Sequence, residues 1–166
     1  MAKPQNFGGF TLYRIYYGDQ IVYVGRTMQP LQNRIRGHLF KKPMHRAINI
    51  EQVTKIEFAR FHSESDMMVY EIFFINLWKP ALNRDDKAPD ALTITLPPVE
   101  WELFKTPLWD KWRAEIAAID AQDADRRKKK QEIIAKDSEM RAKRRAGEIS
   151  EEEYWTFWEE EVQPLR

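Results

Sequence analysis

The sequence contains no cysteine, which excludes disulfide scaffolds, thiolate zinc sites and thiol nucleophiles. It has no long hydrophobic run either. The most apolar stretch, Met67 to Trp78, covers twelve residues and includes Glu71 and Asn76, too short and too polar to cross a bilayer. Residues 1–9 hold no apolar segment, so no secretory signal is expected and the chain reads as a cytoplasmic protein with no membrane partner. Net charge is almost absent: 27 basic side chains face 26 acidic ones, a formal +1. That balance excludes a blanket of positive charge but leaves nucleic acid open, because position rather than total decides such binding. What is present is enough for a core. The 166 residues are 43% hydrophobic and 13% aromatic, about one domain with a small appendage.

The charge is unevenly spread. Residues 1–96 carry +4 and residues 97–166 carry −3. The first part alternates short apolar runs with Gly and Pro, whereas the second reads as long helices rich in Ala, Glu, Lys and Arg. The linker-like stretch from Asp85 to Asp90 and the pair Pro97-Pro98 set an expected boundary between a first domain, 1–96, and a helical extension, 97–166. Within the first, Phe10 to Tyr17 and Gln20 to Gly25 are β-rich runs around Gly18-Asp19, the pattern of a tight hairpin. Thr27 or a neighbour is placed to cap a helix with Pro30 in its first turn, in which Leu31, Ile35 and Leu39 form one buried stripe to about Lys41. Thr54 to Phe61 reads as a third strand. Ser63 or Ser65 then caps a helix running to Lys79, stopped by Pro80. The order β-β-α-β-α predicts an α/β fold of the α+β type, a small antiparallel sheet flanked by helices, with residues 91–96 as an edge strand.

Three features point beyond packing. Between Asp19 and Glu51 there is no acidic side chain, yet Arg26, Arg34, Arg36, Lys41, Lys42 and Arg46 all fall there, with His38 and His45. These form either a solvated basic face or a phosphate site, for which the planar guanidinium fork is suited. Arg34 and His38, four apart, share one side of their helix. Glu71 is the only charged residue between Asp66 and Lys79, with Met67, Met68, Phe74 and Ile75 as its helical neighbours. A carboxylate there needs an internal arginine partner or serves as a ligand for Mg²⁺, which takes one or two carboxylates plus waters and phosphate oxygens. Tyr13, Tyr16, Tyr17 and Tyr23 crowd the hairpin. Taken singly they fit cross-strand packing; beside arginines and a held cation, a phenolic oxygen can serve proton transfer.

These residues resemble the GIY-YIG nuclease family over residues 10–87. The first motif appears as Thr11-Leu12-Tyr13, without its opening Gly and with Arg14-Ile15-Tyr16 as a competing alignment. The second appears as Tyr23-Val24-Gly25, ten residues after Tyr13, and is followed by Arg26. Arg34, His38 and Glu71 then match in order, and Asn83 closes the set twelve residues after Glu71. The resemblance implies a divalent-metal-dependent endonuclease that cleaves phosphodiester bonds in DNA, with Mg²⁺ or Mn²⁺ on Glu71. Tyr13 is the expected general base, Tyr23 positions the water, and Arg34 stabilises the transition state. His38 either hydrogen-bonds a tyrosine or assists proton transfer, and Asn83 orients the site. Arg26, Arg36, Lys41, Lys42 and Arg46 are the expected nucleic-acid contacts. The alternative is a catalytically inactive nucleic-acid-binding or interaction protein that keeps the fold.

The resemblance does not reach residues 99–166. Trp101, Phe104, Leu108, Trp109 and Trp112 lead into a helix that carries the basic run Arg126 to Lys130. Ala146-Gly147 reads as a helix end and Ser150 to Glu153 as a capped helix start. A C-terminal helical hairpin is therefore expected, with the Glu-rich helix lying against the basic one and screening it. Its aromatic residues are the alternative contact for a second copy or another protein.

Overall fold

The computed structural model of the protein describes residues 9–41 and 47–165. Four antiparallel strands and four α-helices appear among them. The strands are β1 (Phe10–Tyr17), β2 (Gln20–Thr27), β3 (Val53–Phe61) and β4 (Glu102–Leu103). The helices are α1 (Leu31–Leu39), α2 (Glu64–Trp78), α3 (Trp109–Arg145) and α4 (Glu151–Phe157). The sheet order β2-β1-β3-β4 leaves β2 at one edge. The expected β-β-α-β-α order and mixed α/β class are those observed.

Side-chain alternation divides the first part into two layers. Tyr13 and Ile15 join Ile35 and Leu39 of α1, together with Trp112 and Ile116, in one buried cluster. Leu12 and Val24 join Met67, Phe74 and Ile75 of α2 in another, flanked by Trp78 and Trp101. The period of two along a strand sends these sets to opposite faces of the sheet. One irregularity bears on the site. Ile15 pairs with Tyr23 and Tyr16 pairs with Ile21, so Val22 is an extra residue in β2. The bulge lets Val22 and Tyr23 both pack towards the α1 face.

The helix ends follow local chemistry. Ser63 Oγ accepts from Asp66 N at 3.1 Å and caps α2. At the other end Lys79 takes a left-handed conformation, φ 47°, directly before Pro80. Helix α1 starts after Pro30 without a side-chain cap; Thr27 Oγ1 instead accepts from Gln29 N at 3.0 Å in the turn that precedes it.

Two expectations are corrected. Residues 91–96 are not a strand, and Ile94 is exposed; the edge pairing on β3 is made by Glu102–Leu103, opposite Glu57 and Phe58. The stretch from Asp85 to Asp90 is not a free linker. Asn76 Nδ2 donates to Asp86 O at 2.6 Å, its Oδ1 accepts from Ala88 N at 2.7 Å, and Lys79 Nζ and Lys87 Nζ hold further carbonyls, those of Ala88 and Pro80. The backbone contacts divide the chain into compact units at 116/117. The composition changes about twenty residues earlier, but Val99 and Trp101 pack on the α2-side core and Trp112 and Ile116 on the α1-side core.

The second unit is a helical hairpin. Helix α3 ends at Gly147, φ 74°, where Glu148 N donates to Lys143 O at 2.9 Å. Ser150 and Glu153 then form a reciprocal capping box at the start of α4. Tyr154 is buried; its hydroxyl donates to Asp137 Oδ1 at 3.0 Å and accepts from Arg141 Nε at 3.1 Å. The expected screening of the basic run does not occur. Contacts of α4 fall on Asp137, Arg141 and Arg144, while Arg126 to Lys130 are exposed. Trp155 is half exposed and meets Trp158 edge-on.

Candidate active site

The side chains of interest gather around the edge strand β2. On the α1 face, Tyr13 and Tyr23 lie with ring centroids 6.1 Å apart, and His38 completes the aromatic cluster. This close approach needs Gly25. A Cβ there would lie 2.7 Å from both Tyr13 Oη and the Tyr23 ring, well inside van der Waals contact. The glycine after Tyr23-Val24 is thus a steric requirement of the tyrosine pair.

Tyr13 is wholly buried, and its hydroxyl is fully engaged. Tyr13 Oη and His38 Nε2 are 2.6 Å apart, and Arg34 Nε donates to Tyr13 Oη at 3.2 Å. Tyr13, Tyr23 and Arg34 also act on one another electrostatically. Burial pushes the Tyr13 phenol above its ordinary range, with the neighbouring Tyr23 adding to the shift and Arg34 opposing it. Tyr23 is raised as well, again by burial first. His38 is lowered to about 4, by desolvation and then by the positive charges of Arg34 and Lys41. It is therefore neutral at pH 7. In the tautomer that accepts from Tyr13 at Nε2, the ring proton resides on Nδ1.

The two tyrosines of the competing first-motif alignments point to opposite faces of the sheet. Tyr16 belongs to the other face, where its hydroxyl donates to Glu57 Oε2 at 2.8 Å beside the Arg14–Glu57 ion pair. Arg14 there packs over the Trp101 ring, 4.0 Å from its centroid.

Glu71 projects from α2 towards the same edge of the sheet. Its Oε2 pairs with Arg26 Nε at 2.8 Å, and its side chain is 15% exposed. Desolvation holds its carboxyl above the usual carboxylate range; Arg26 opposes this and Asp86 adds to it. A cavity of about 420 Å³ is lined by Tyr23, His38, Lys41, Glu71, Asn83 and Asp86, with Arg84 and Asp85 at its wall.

Asn83 holds this cavity together through the open edge of β2. Its Oδ1 accepts from Val24 N at 2.9 Å and its Nδ2 donates to Val24 O at 2.8 Å. Leu82 N adds a bond to Val22 O at 2.9 Å. A single side-chain amide thus satisfies both peptide groups of Val24, much as a paired strand would, and carries the segment 84–86 to the cavity.

The structure brings together Tyr13, Tyr23, Arg34, His38, Glu71 and Asn83, with Arg26 and Lys41 beside them. Arg36 is turned away, its guanidinium 4.5 Å from the Phe40 ring centroid. Lys42, His45 and Arg46 lie outside the described residues. Asp86, Arg84 and Asn76 were not anticipated. A φ of 63° at Asp86 and the contacts of buried Asn76 with Asp86 and Ala88 arise from tertiary packing that leaves no periodic trace.

Whether this donor set suits a divalent cation follows from its chemistry. Among the described residues no group of three or more His, Cys, Asp or Glu could cage a metal. One half-buried carboxylate, Glu71, faces a polar cavity that Asp86 also lines. That fits Mg²⁺, which keeps most of its waters and uses one or two carboxylates with substrate phosphate oxygens.

A small antiparallel sheet thus carries a tyrosine pair, an arginine, a neutral histidine and an arginine-paired glutamate at one edge. Residues 10–84 match the model of the GIY-YIG catalytic domain, a match that supports a nuclease-type function. Over 88 residues, half of this chain, the sequence is 31% identical to the UvrABC system protein C of Borrelia duttonii (strain Ly), and equally to that of Borrelia recurrentis (strain A1). The match spans 14% of the length of each of these relatives. No solved structure shows significant similarity to the chain.

Proposed function

We propose that the protein is a divalent-metal-dependent endonuclease that hydrolyses phosphodiester bonds in DNA. The observation that carries this reading is the convergence on one cavity of Tyr23, His38 and Glu71, with Tyr13 and Arg34 directly behind the tyrosine. Glu71 would hold Mg²⁺ or Mn²⁺, with Asp86 as the second carboxylate at the same cavity. A bound cation there supplies charge neutralisation at the scissile phosphate and its leaving oxygen.

The proton path favours Tyr23 over Tyr13 as the group that meets water. Tyr23 lines the cavity, whereas Tyr13 is wholly buried. Both phenols are raised, so a free phenolate is the wrong intermediate. A relay avoids it. Tyr23 Oη accepts a proton from the attacking water as its own proton passes to Tyr13 Oη, and the Tyr13 proton passes to His38 Nε2, 2.6 Å away. Both tyrosines stay neutral and His38 ends protonated. Substrate phosphates beside Arg34 and Lys41 offset the two charges that depress His38, making it a better acceptor when DNA is bound. Arg34, oriented by Tyr13, stabilises the charge that builds on the phosphoryl group.

The test is conversion of supercoiled plasmid to nicked or linear forms, and cleavage of duplex, branched and single-stranded DNA, with Mg²⁺, Mn²⁺ or EDTA. Cleavage with either metal and none in EDTA supports the reading. Tight DNA binding without cleavage under all metals would replace it with a binding protein that keeps the fold.

A further inference from the structure

The carboxylate assigned to the cation already carries one. Arg26 directly follows Gly25, so it projects from β2 on the face opposite Tyr23, towards α2. Its Nε lies 2.8 Å from Glu71 Oε2. The Glu71 side chain is 15% exposed and that of Arg26 is 37% exposed, so the carboxylate is enclosed while the guanidinium has an open route to solvent. The donor set of Glu71 is therefore small and contested. An N–H donor on Oε2 and a hard cation at about 2.0–2.1 Å from that oxygen draw on the same lone pairs, and their positive charges repel.

We propose that Arg26 is a latch on Glu71: it occupies the carboxylate while no divalent cation is bound, and is released towards the DNA backbone when one binds. This rests on the nuclease reading of Glu71 and adds to it a coupling between metal and substrate. The released guanidinium finds a phosphate oxygen, to which it can offer two parallel N–H donors in place of the one it gives to Glu71. Cation binding then raises DNA affinity, and by linkage a bound backbone raises cation affinity. The pair also keeps a costly buried charge compensated in the resting protein, since removing either partner leaves the other without its match.

The coupling is read from binding, without turnover. Mn²⁺ binding to the full chain without DNA, followed by the EPR signal of free Mn²⁺, should be at least about fivefold tighter for Arg26→Gln than for wild type, the lower range of measured coupling effects. DNA affinity in EDTA, followed by fluorescence anisotropy, should be at least about fivefold tighter for Glu71→Gln than for wild type, because its amide holds Arg26 less firmly. The double variant should lose that gain. A measurement on wild type alone covers the case in which Arg26→Gln fails to fold: the Arg26 Nε–H resonance should shift on Mg²⁺ addition. Equal or weaker Mn²⁺ binding by folded Arg26→Gln, or an Arg26 resonance indifferent to saturating Mg²⁺, overturns the latch. Wild-type protein that neither binds Mn²⁺ nor cuts DNA overturns the nuclease reading instead.

Discussion

The two compact units treat their charged groups in opposite ways. Around β2, burial is the leading influence on Tyr13, Tyr23, His38 and Glu71, and each is pushed towards its neutral form. In the helical hairpin, Glu139 and Glu153 are lowered and Arg141 and Lys143 raised by local hydrogen bonds at the surface, so each is held in its charged form. Exposed pairs of this kind contribute little to stability. A fold that encloses a carboxylate, a histidine and two phenols at one sheet edge accepts a local stability loss, and such losses concentrate where chemistry is performed. The comparison sets a first unit whose enclosed groups are held neutral against a second that is a solvated, self-paired hairpin.

The sharpest way to break this comparison is to neutralise Glu71. Its folded pKa is raised, so its protonated form is the one the fold favours. The stability it contributes is present below the unfolded carboxyl pKa and lost as pH rises through the folded value. At pH 7 the neutral isostere in Glu71→Gln should therefore melt no lower than wild type. Its cleavage rate should fall by more than about a hundredfold, beyond the usual effect of removing an outer-shell metal partner. A lower melting temperature at pH 7 would mean that the Arg26 pair outweighs burial.

The tyrosines come next. Tyr23→Phe should reduce single-turnover cleavage by about 10²–10⁴, the usual range for a proton-transfer group, with little change in stability. Tyr13→Phe should in addition destabilise by about 1–3 kcal/mol, because His38 Nε2 and Arg34 Nε lose their buried partner. Denaturant unfolding beside single-turnover kinetics separates the two. If the variants show the same stability loss, the buried-versus-facing distinction between the tyrosines fails.

Glycine substitutions set the units side by side. Gly25→Ala places a methyl group 2.7 Å from Tyr13 Oη and the Tyr23 ring, and should cost about 1–3 kcal/mol by overpacking together with most of the activity. Gly147→Ala meets open space but has φ 74°; it should cost about 1–2 kcal/mol through backbone conformation alone and leave cleavage unchanged. Melting curves and plasmid nicking of both variants give the comparison.

The smallest effects concern pH and the basic run. The folded pKa of His38, about 4, lies below its unfolded value near 6.5. The unfolded chain binds more protons between these values, so this contribution is complete above about pH 6.5 and declines as pH falls towards 4. Unfolding free energies of wild type and His38→Gln should converge across that window. Replacing Arg127, Lys129 and Lys130 by Gln should change stability by less than about 0.5 kcal/mol and leave the single-turnover rate at saturating DNA untouched. Any effect should be confined to the salt dependence of binding.

Much of the first unit was legible in the sequence because its signals are local. The β-rich run Phe10 to Tyr17 before Gly18-Asp19, the Leu31, Ile35 and Leu39 stripe, and Pro80 after Lys79 each reflect a rule that acts within a few residues. Glu71 stood out as the lone charge in an apolar helix. What was hidden depends on tertiary contacts. A two-residue strand such as Glu102–Leu103 has no room to alternate, whereas residues 91–96 alternate without a sheet partner. Asp85 to Asp90 has the composition of a linker and is fixed because Asn76 and Lys79 bond its peptide groups and its own Lys87 reaches the Pro80 carbonyl. The exchange of prominence between Tyr13 and Tyr23 depends on burial, which spacing does not encode.

The central claim, that Glu71 faces the cavity to hold a cation, is tested most directly by the number of Mn²⁺ ions bound per chain in wild type and in folded Glu71→Gln. The account predicts one ion in wild type and its loss in the variant, with circular dichroism and melting temperature retained. Equal Mn²⁺ binding by the two proteins would contradict it.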